Sequence, residues 1–150
     1  MKLKITLITM CTILLLTNCT QQTDSASKAI ESGEINLKTT QQVFQFMEQK
    51  NLDAVMSQFS KDAVFAQPFN PQGADFSYDG NDAIRDGMKG IYSLIEKISY
   101  TNLTYTIAVD GKTIFLETQG KMTLKNETPY NNTYVFRIDF NNEGKVIKVT

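Results

Sequence analysis

The spacing of apolar residues changes period at about Ile98, and that change limits the fold more than any other feature of the chain. Before it the pattern is helical. Thr39 or Thr40 can cap a helix running to about Lys50, with Val43, Phe46 and Met47 facing inward and Phe44 off that stripe. Asn51 caps a short second helix, on which Leu52, Val55, Met56 and Phe59 stand at i, i+3, i+4 and i+7. Residues 63–69 then read as a strand that Pro68 confines to an edge or an end, and 70–75 as a loop. Asn81 caps a third helix with Ile84, Met88, Ile91 and Ile95 inward and Tyr92 beside them. Gly87 and Gly90 each cost that helix about 1 kcal/mol, which implies close approach of another backbone or a mobile helix. After Ile98 the period is two. Leu103, Tyr105 and Ile107 alternate up to an Asp110-Gly111 turn, 112–124 is a long strand, 130–140 another, and 145–150 begins a last one. Helices first and an antiparallel meander after them define an α+β fold.

Composition excludes several chemistries. Histidine is absent, so Ser–His and Cys–His mechanisms and the commonest metal ligand are all missing. A net charge of −1 supplies no basic surplus for phosphate contacts, so no nucleic-acid partner is expected. The two cysteines, Cys11 and Cys19, both precede the folded domain, which must hold together by packing alone. No metal and no cofactor are expected.

The N-terminus reads as an address. Lys2 and Lys4 are followed by an apolar run from Ile5 to Thr17, short of the ~20 residues a membrane-spanning helix needs. Leu16-Thr17-Asn18-Cys19 resembles a bacterial lipobox, with Asn18 where Gly, Ala or Ser is usual. The expected organisation is a lipoprotein signal peptide at 1–18, a flexible polar tether at 19–35 from a lipidated Cys19, and a folded domain at 36–150. The expected location is the bacterial cell envelope, membrane-anchored through the lipid. The alternatives are an ordinary secretory cleavage nearby or an uncleaved anchor.

Six segments stand in a telling order: Leu52-Asp53-Ala54-Val55; the run from Phe59 to Phe65; Tyr78-Asp79-Gly80-Asn81-Asp82-Ala83-Ile84-Arg85; Asp110-Gly111-Lys112; the run from Pro129 to Tyr134; and the run from Asn142 to Ile147. In that order they resemble the SnoaL-like (polyketide cyclase) branch of the nuclear-transport-factor-2-like superfamily. Together they cover about 37–150. The resemblance implies a cone, with three N-terminal helices packed against a curved, mostly antiparallel sheet and a pocket at the open end. It also implies dimers through the outer sheet face. Family members continue several residues past the matching Gly144-Lys145-Val146-Ile147 strand, so either the last strand is short here or the sequence is truncated. The steroid-isomerase members place an Asp base before a proline where this chain has Gln67, and an acidic donor where it has Phe136. Neither replacement can do that chemistry.

The residues left leave the reaction open. Gln67, Tyr130 and Tyr134 are candidate ligand-orienting groups, with Phe46, Phe65, Met88 and Tyr92 as apolar lining. Glu117 is the candidate catalytic carboxylate, although alternation puts it on the face opposite Ile114, Leu116 and Thr118. The leading reading is a lipid-anchored domain that binds a small, largely apolar molecule. Two others stay open: a cyclase-, isomerase- or dehydratase-type enzyme using a carboxylate and a tyrosine hydroxyl, and a dimeric structural domain.

Overall fold

The computed structural model describes residues 3–68 and 76–150, with side chains from Asp24 onward. The elements are α1 (Leu3–Glu48), α2 (Leu52–Ser57), β1 (Phe59–Gln67), β2 (Phe76–Asp79), α3 (Asn81–Leu94), β3 (Ile95–Ile107), β4 (Thr113–Leu124), β5 (Pro129–Phe140) and β6 (Val146–Val149). The strands form one curved sheet in the order β2-β1-β6-β5-β4-β3, antiparallel except where β6 lies parallel to β1. The expected α+β cone is the observed fold: α1 packs on β3 and β4, and α3 on β1, β2 and β3.

Alternation along β4 decides which face meets the helices. Ile114, Leu116, Thr118, Gly120 and Met122 are buried while Phe115, Glu117, Gln119 and Lys121 are exposed. The register places Leu116 opposite Phe136, Thr118 opposite Tyr134 and Gly120 opposite Asn132, so the even-numbered residues of β5 line the same inner face. The closed end of the cone is sealed by Ile114, Ile138, Phe140 and Val146. Toward the start of β5 the seal fails: Phe136 and Tyr134 are half-buried, and Tyr130 is exposed.

Several local expectations are corrected. Phe59 opens β1 instead of closing α2. Residues 76–79, to which the sequence pattern assigns no strand, form an edge strand on β1. Gly80, not Asn81, is the cap position of α3, and the Asn81 side chain donates instead to the Met56 carbonyl at 3.1 Å. Asn51 does cap α2, accepting from the Ala54 N–H at 3.1 Å. Gly87 lies under the Tyr78 ring, so a side chain, not a backbone, makes the close approach, and Gly90 faces open space. The signal segment 1–18, Cys19, Phe69 and the 70–75 loop lie outside the residues whose side chains are described. Among the described residues no helix is long and apolar enough to cross a membrane.

The largest correction concerns the tether. From Asp24 to Ile35 the chain is helix, continuous with the part of α1 that enters the core. Ala29, Gly33, Asn36 and Thr40 recur at spacings of four, three and four, which puts four small side chains on one stripe. The β3–β4 turn seats on that stripe. Gly33 meets Ile107, and Gly111 comes so close to the Ala29 carbonyl that a methyl group there would collide with it. Gly111 also has φ 68°, a conformation that side chains resist. The buried Asn36 amide donates to the Gly111 carbonyl at 2.7 Å. Thr39 and Thr40 are therefore interior helix residues rather than caps. Their hydroxyls donate back to the Ile35 and Asn36 carbonyls at 3.2 and 2.9 Å.

This contact predicts that Asn36→Ala, which leaves the buried Gly111 carbonyl without its donor, lowers stability by about 1–3 kcal/mol in urea unfolding. Gly111→Ala should cost at least as much. Parent-like midpoints for both variants would show that the helix does not bear on the domain.

Candidate functional site

Side chains from four elements converge where the cone is incompletely sealed. From α1, the Phe44 ring stands edge-on to Tyr100 of β3, with centroids 4.9 Å apart, and edge-on to Phe136 of β5 at 5.3 Å. Tyr134 stacks on Phe136 at 5.4 Å, its ring lying flat across Gly120, where a Cβ would be 2.7 Å from it. Tyr92 reaches in from α3, and its hydroxyl is buried with no hydrogen-bond partner. Glu48, one turn beyond Phe44 on α1, accepts the Tyr100 backbone N–H at 2.6 Å.

The phenols here are held neutral. Burial pushes Tyr92 up from 10.0 to about 12. Burial also raises Tyr134 to about 12, with the nearby Tyr130 adding to the rise and a hydrogen bond to Asn132 opposing it. Tyr100 is raised further, first by burial and then by Tyr92, Tyr134 and Glu48. Tyr105 is raised by burial and by Glu48. Tyr100 is thus the hub: the groups that act on it come from α1, α3 and β5. The cluster contains no cation. Lys50, two residues past the end of α1, spends its ammonium on the Ile95 and Glu96 carbonyls. Such a set can donate hydrogen bonds to an acceptor oxygen and surround an apolar body, and it carries no positive charge to draw an anion.

The residues nominated from sequence divide into two groups. Tyr92 and Tyr134 come together around Tyr100, and Tyr130, exposed, lies beside Tyr134. Phe46, Phe65 and Met88 are half-buried and pack against the core, Phe65 with its ring 6.5 Å from that of Tyr78. Gln67 is exposed at the end of β1 opposite Phe76. Glu117 is exposed on the outer face opposite Val135, so it is not a carboxylate of this cluster. Glu48, Phe44 and Tyr100 were missed. The signal for Glu48 was its four-residue spacing from Phe44, which went unread because Phe44 had been placed off the inner stripe. An open concavity of about 430 Å³ lies elsewhere, between β1 and the start of α3, bounded by Phe59, Lys61, Asp79 and Asp82 among others. None of its lining residues belongs to the tyrosine cluster. Among the described residues no group of three or more His, Cys, Asp or Glu side chains could hold a metal.

N-terminal helices packed on a curved, mostly antiparallel six-stranded sheet are the nuclear-transport-factor-2-like fold. Residues 40–149 match the SnoaL-like domain, and the chain belongs to that family. No curated protein matches it significantly. Among solved structures it is similar to a Bacillus subtilis protein named as an isomerase by inference (23% identity, TM-score 0.70, 79% of this chain and 85% of that one). It is also similar to a phenazine biosynthesis-related protein from Pseudomonas aeruginosa (16%, 0.74, 82% and 81%). A third is an epoxide hydrolase/cyclase-like enzyme with a role in pyran ring formation in the polyether salinomycin (17%, 0.66, 76% and 86%). At these identities the likeness is one of fold.

The raised phenols set an alkaline limit. Their folded pKa values exceed the unfolded value of 10.0, so their contribution to stability is complete below about pH 10 and is lost as pH climbs toward 12. Absorbance titration should show a late-ionising tyrosine fraction and falling stability across that window. Ionisation of every tyrosine near pH 10 with the fold intact would contradict the burial described.

Proposed function

We propose that this is an exported, lipid-anchored SnoaL-like domain that binds a small, largely apolar molecule carrying at least one neutral acceptor oxygen. The observation that carries the reading is the Tyr92 hydroxyl, buried and unpartnered beside Tyr100. A buried donor without an acceptor costs about 1–3 kcal/mol, and an acceptor on a bound ligand would recover that cost. Half-buried Tyr134 and Phe136 supply apolar surface beside Tyr100, and half-buried Met88 lies one turn before Tyr92 on α3. The family's solved relatives with cyclase or isomerase names are compatible with a ligand-holding interior. Export and lipid attachment rest on the segment from Met1 to Cys19.

The second reading is an enzyme of cyclase, isomerase or dehydratase type. Glu48 favours it, as a carboxylate close enough to raise both Tyr100 and Tyr105. Against it, one Glu48 oxygen is committed to the Tyr100 N–H.

Mass spectrometry of the protein purified from its native membranes should find a bound apolar molecule. Tyr92→Phe should leave the ligand-free protein as stable as the parent or slightly more so, yet retain about tenfold less of that molecule, the loss of one hydrogen bond to a buried donor. Equal retention by both proteins would remove Tyr92 from the site, and an empty protein at several expression levels would sink the binding reading. For the anchor, Cys19→Ala should abolish incorporation of radiolabelled palmitate and move the protein to the soluble fraction. Unchanged labelling would overturn the assignment of Cys19.

A further inference from the structure

Helix α3 is tied to its neighbours along its first half and hardly at all along its second. The Asn81 amide donates to the Met56 carbonyl at 3.1 Å, Arg85 pairs with Asp53 of α2, Ile84 is buried, and the Tyr78 ring of β2 lies over Gly87. Beyond Gly90 these ties stop. Ile91, Ser93 and Leu94 are exposed, the two apolar side chains by 44% and 65%, and of the four residues to Leu94 only Tyr92 is half-buried. The chain is then pinned again. The Leu94 carbonyl accepts the Lys125 N–H at 3.0 Å, and the buried Ile95 enters β3 opposite Leu124.

Gly90 marks the boundary, and packing does not account for it. Gly87 has no room for a side chain, whereas a Cβ at Gly90 would meet nothing within 4 Å. Its backbone is helical, so alanine would fit and would hold the helix better. Three residues on, the Ser93 hydroxyl donates to the Gly90 carbonyl at 2.6 Å, the same acceptor that the helix offers to the Leu94 N–H. A glycine and a serine paired in this way are a recurrent cause of helix bending. The residue that this loose turn carries inward is Tyr92, whose hydroxyl is buried without a partner. Room for a ligand oxygen against that hydroxyl has to be made by movement, and the orphaned donor offsets part of what the closed turn gains.

We propose that Gly90 is a hinge, and that residues 91–94 form a strap that unwinds to make room for a ligand inside the cone and rewinds to set the Tyr92 hydroxyl on its oxygen. This rests on the reading of the cone as a binding site and adds how its interior opens. The strap is confined between Gly90 and the pinned Ile95. Opening therefore breaks the hydrogen bonds of one helical turn and leaves β3 paired with β4. It also explains both glycines of α3: Gly87 seats Tyr78 and fixes the first half, and Gly90 frees the second.

The test uses the whole protein, with prodan, an apolar naphthalene bearing one ketone oxygen, as the probe. In the parent, the Tyr92, Ser93 and Leu94 amides should exchange hydrogen about tenfold or more faster than those of Arg85 to Met88, at a rate that low urea does not change, the mark of local opening. Gly90→Ala should slow that exchange about fivefold, since glycine costs a helix interior roughly 1 kcal/mol and a tenfold change is about 1.4 kcal/mol. Nitration of Tyr92 by tetranitromethane should slow to the same degree, read in the tryptic peptide 90–97, which holds no other tyrosine. Prodan should both bind and leave about fivefold more slowly with its Kd little changed, a split that a merely structural glycine would not produce. The proposal is overturned if the last-turn amides exchange at the rate and with the urea dependence of the rest of α3. It is also overturned if Gly90→Ala raises stability but leaves Tyr92 nitration unchanged. Should prodan not bind, the ligand reading fails, and exchange and nitration still decide the hinge.

Discussion

The arrangement depends on the Phe44 ring. It is buried where α1 crosses the sheet, and it meets Tyr100 and Phe136 edge-on, so one side chain ties the helix to β3 and to β5 across β4. Edge-to-face aromatic contacts fix angle as well as distance. With α1 held at that angle, the next turn brings Glu48 to the Tyr100 N–H, and the left-handed Lys50 (φ 53°) turns its ammonium back onto the Ile95 and Glu96 carbonyls. About two turns upstream of Phe44, the same rod carries Asn36 to the β3–β4 turn. Loss of the Phe44 contacts would loosen the strand edge and the tyrosine cluster together.

Much of this was legible in the sequence because it rests on period. The switch near Ile98 located the sheet, and alternation placed Ile114, Leu116 and Thr118 inside and Glu117 outside. The turn at Gly111 was legible from its dipeptide. What could not be read depends on contacts that are neither periodic nor apolar. The Ala29-Gly33-Asn36-Thr40 stripe is small and polar, so hydrophobic spacing reports a tether where the chain makes a helix that packs through close backbone approach. Phe44 was set aside because Val43, Phe46 and Met47 form a plausible stripe without it. In the fold the inner face is centred on Val43 and Phe44, with Phe46 and Met47 at its margin. That rotation of the face concealed Glu48 and, with it, the hub at Tyr100.

The helix from Asp24 bears on how the domain would stand relative to an anchor. A coil would let the cone face any direction, whereas a helix continuous with the core passes orientation along its length. Between Ala29 and Asn36 that helix is held by the β3–β4 turn, so the rod and the sheet move as one body. If Cys19 carries a lipid, the mouth of the cone is presented to the surroundings in a restricted set of directions.

The last constraint is the cost of leaving Tyr92 unsatisfied. A core optimised for stability alone would carry phenylalanine at that position, since the ring packs and the hydroxyl finds no partner. The neighbouring phenols, Tyr100 and Tyr134, do not remove the cost, because neither hydroxyl bonds to that of Tyr92. Polar groups brought into an apolar interior from separate elements are a departure from local consistency, and such departures collect where a protein meets a ligand. The departure lies next to the part of β5 where the cone is unsealed. A molecule entering beside Tyr134 would therefore reach the orphaned hydroxyl across apolar surface, so its oxygen would be oriented by the fold before any catalytic group was needed.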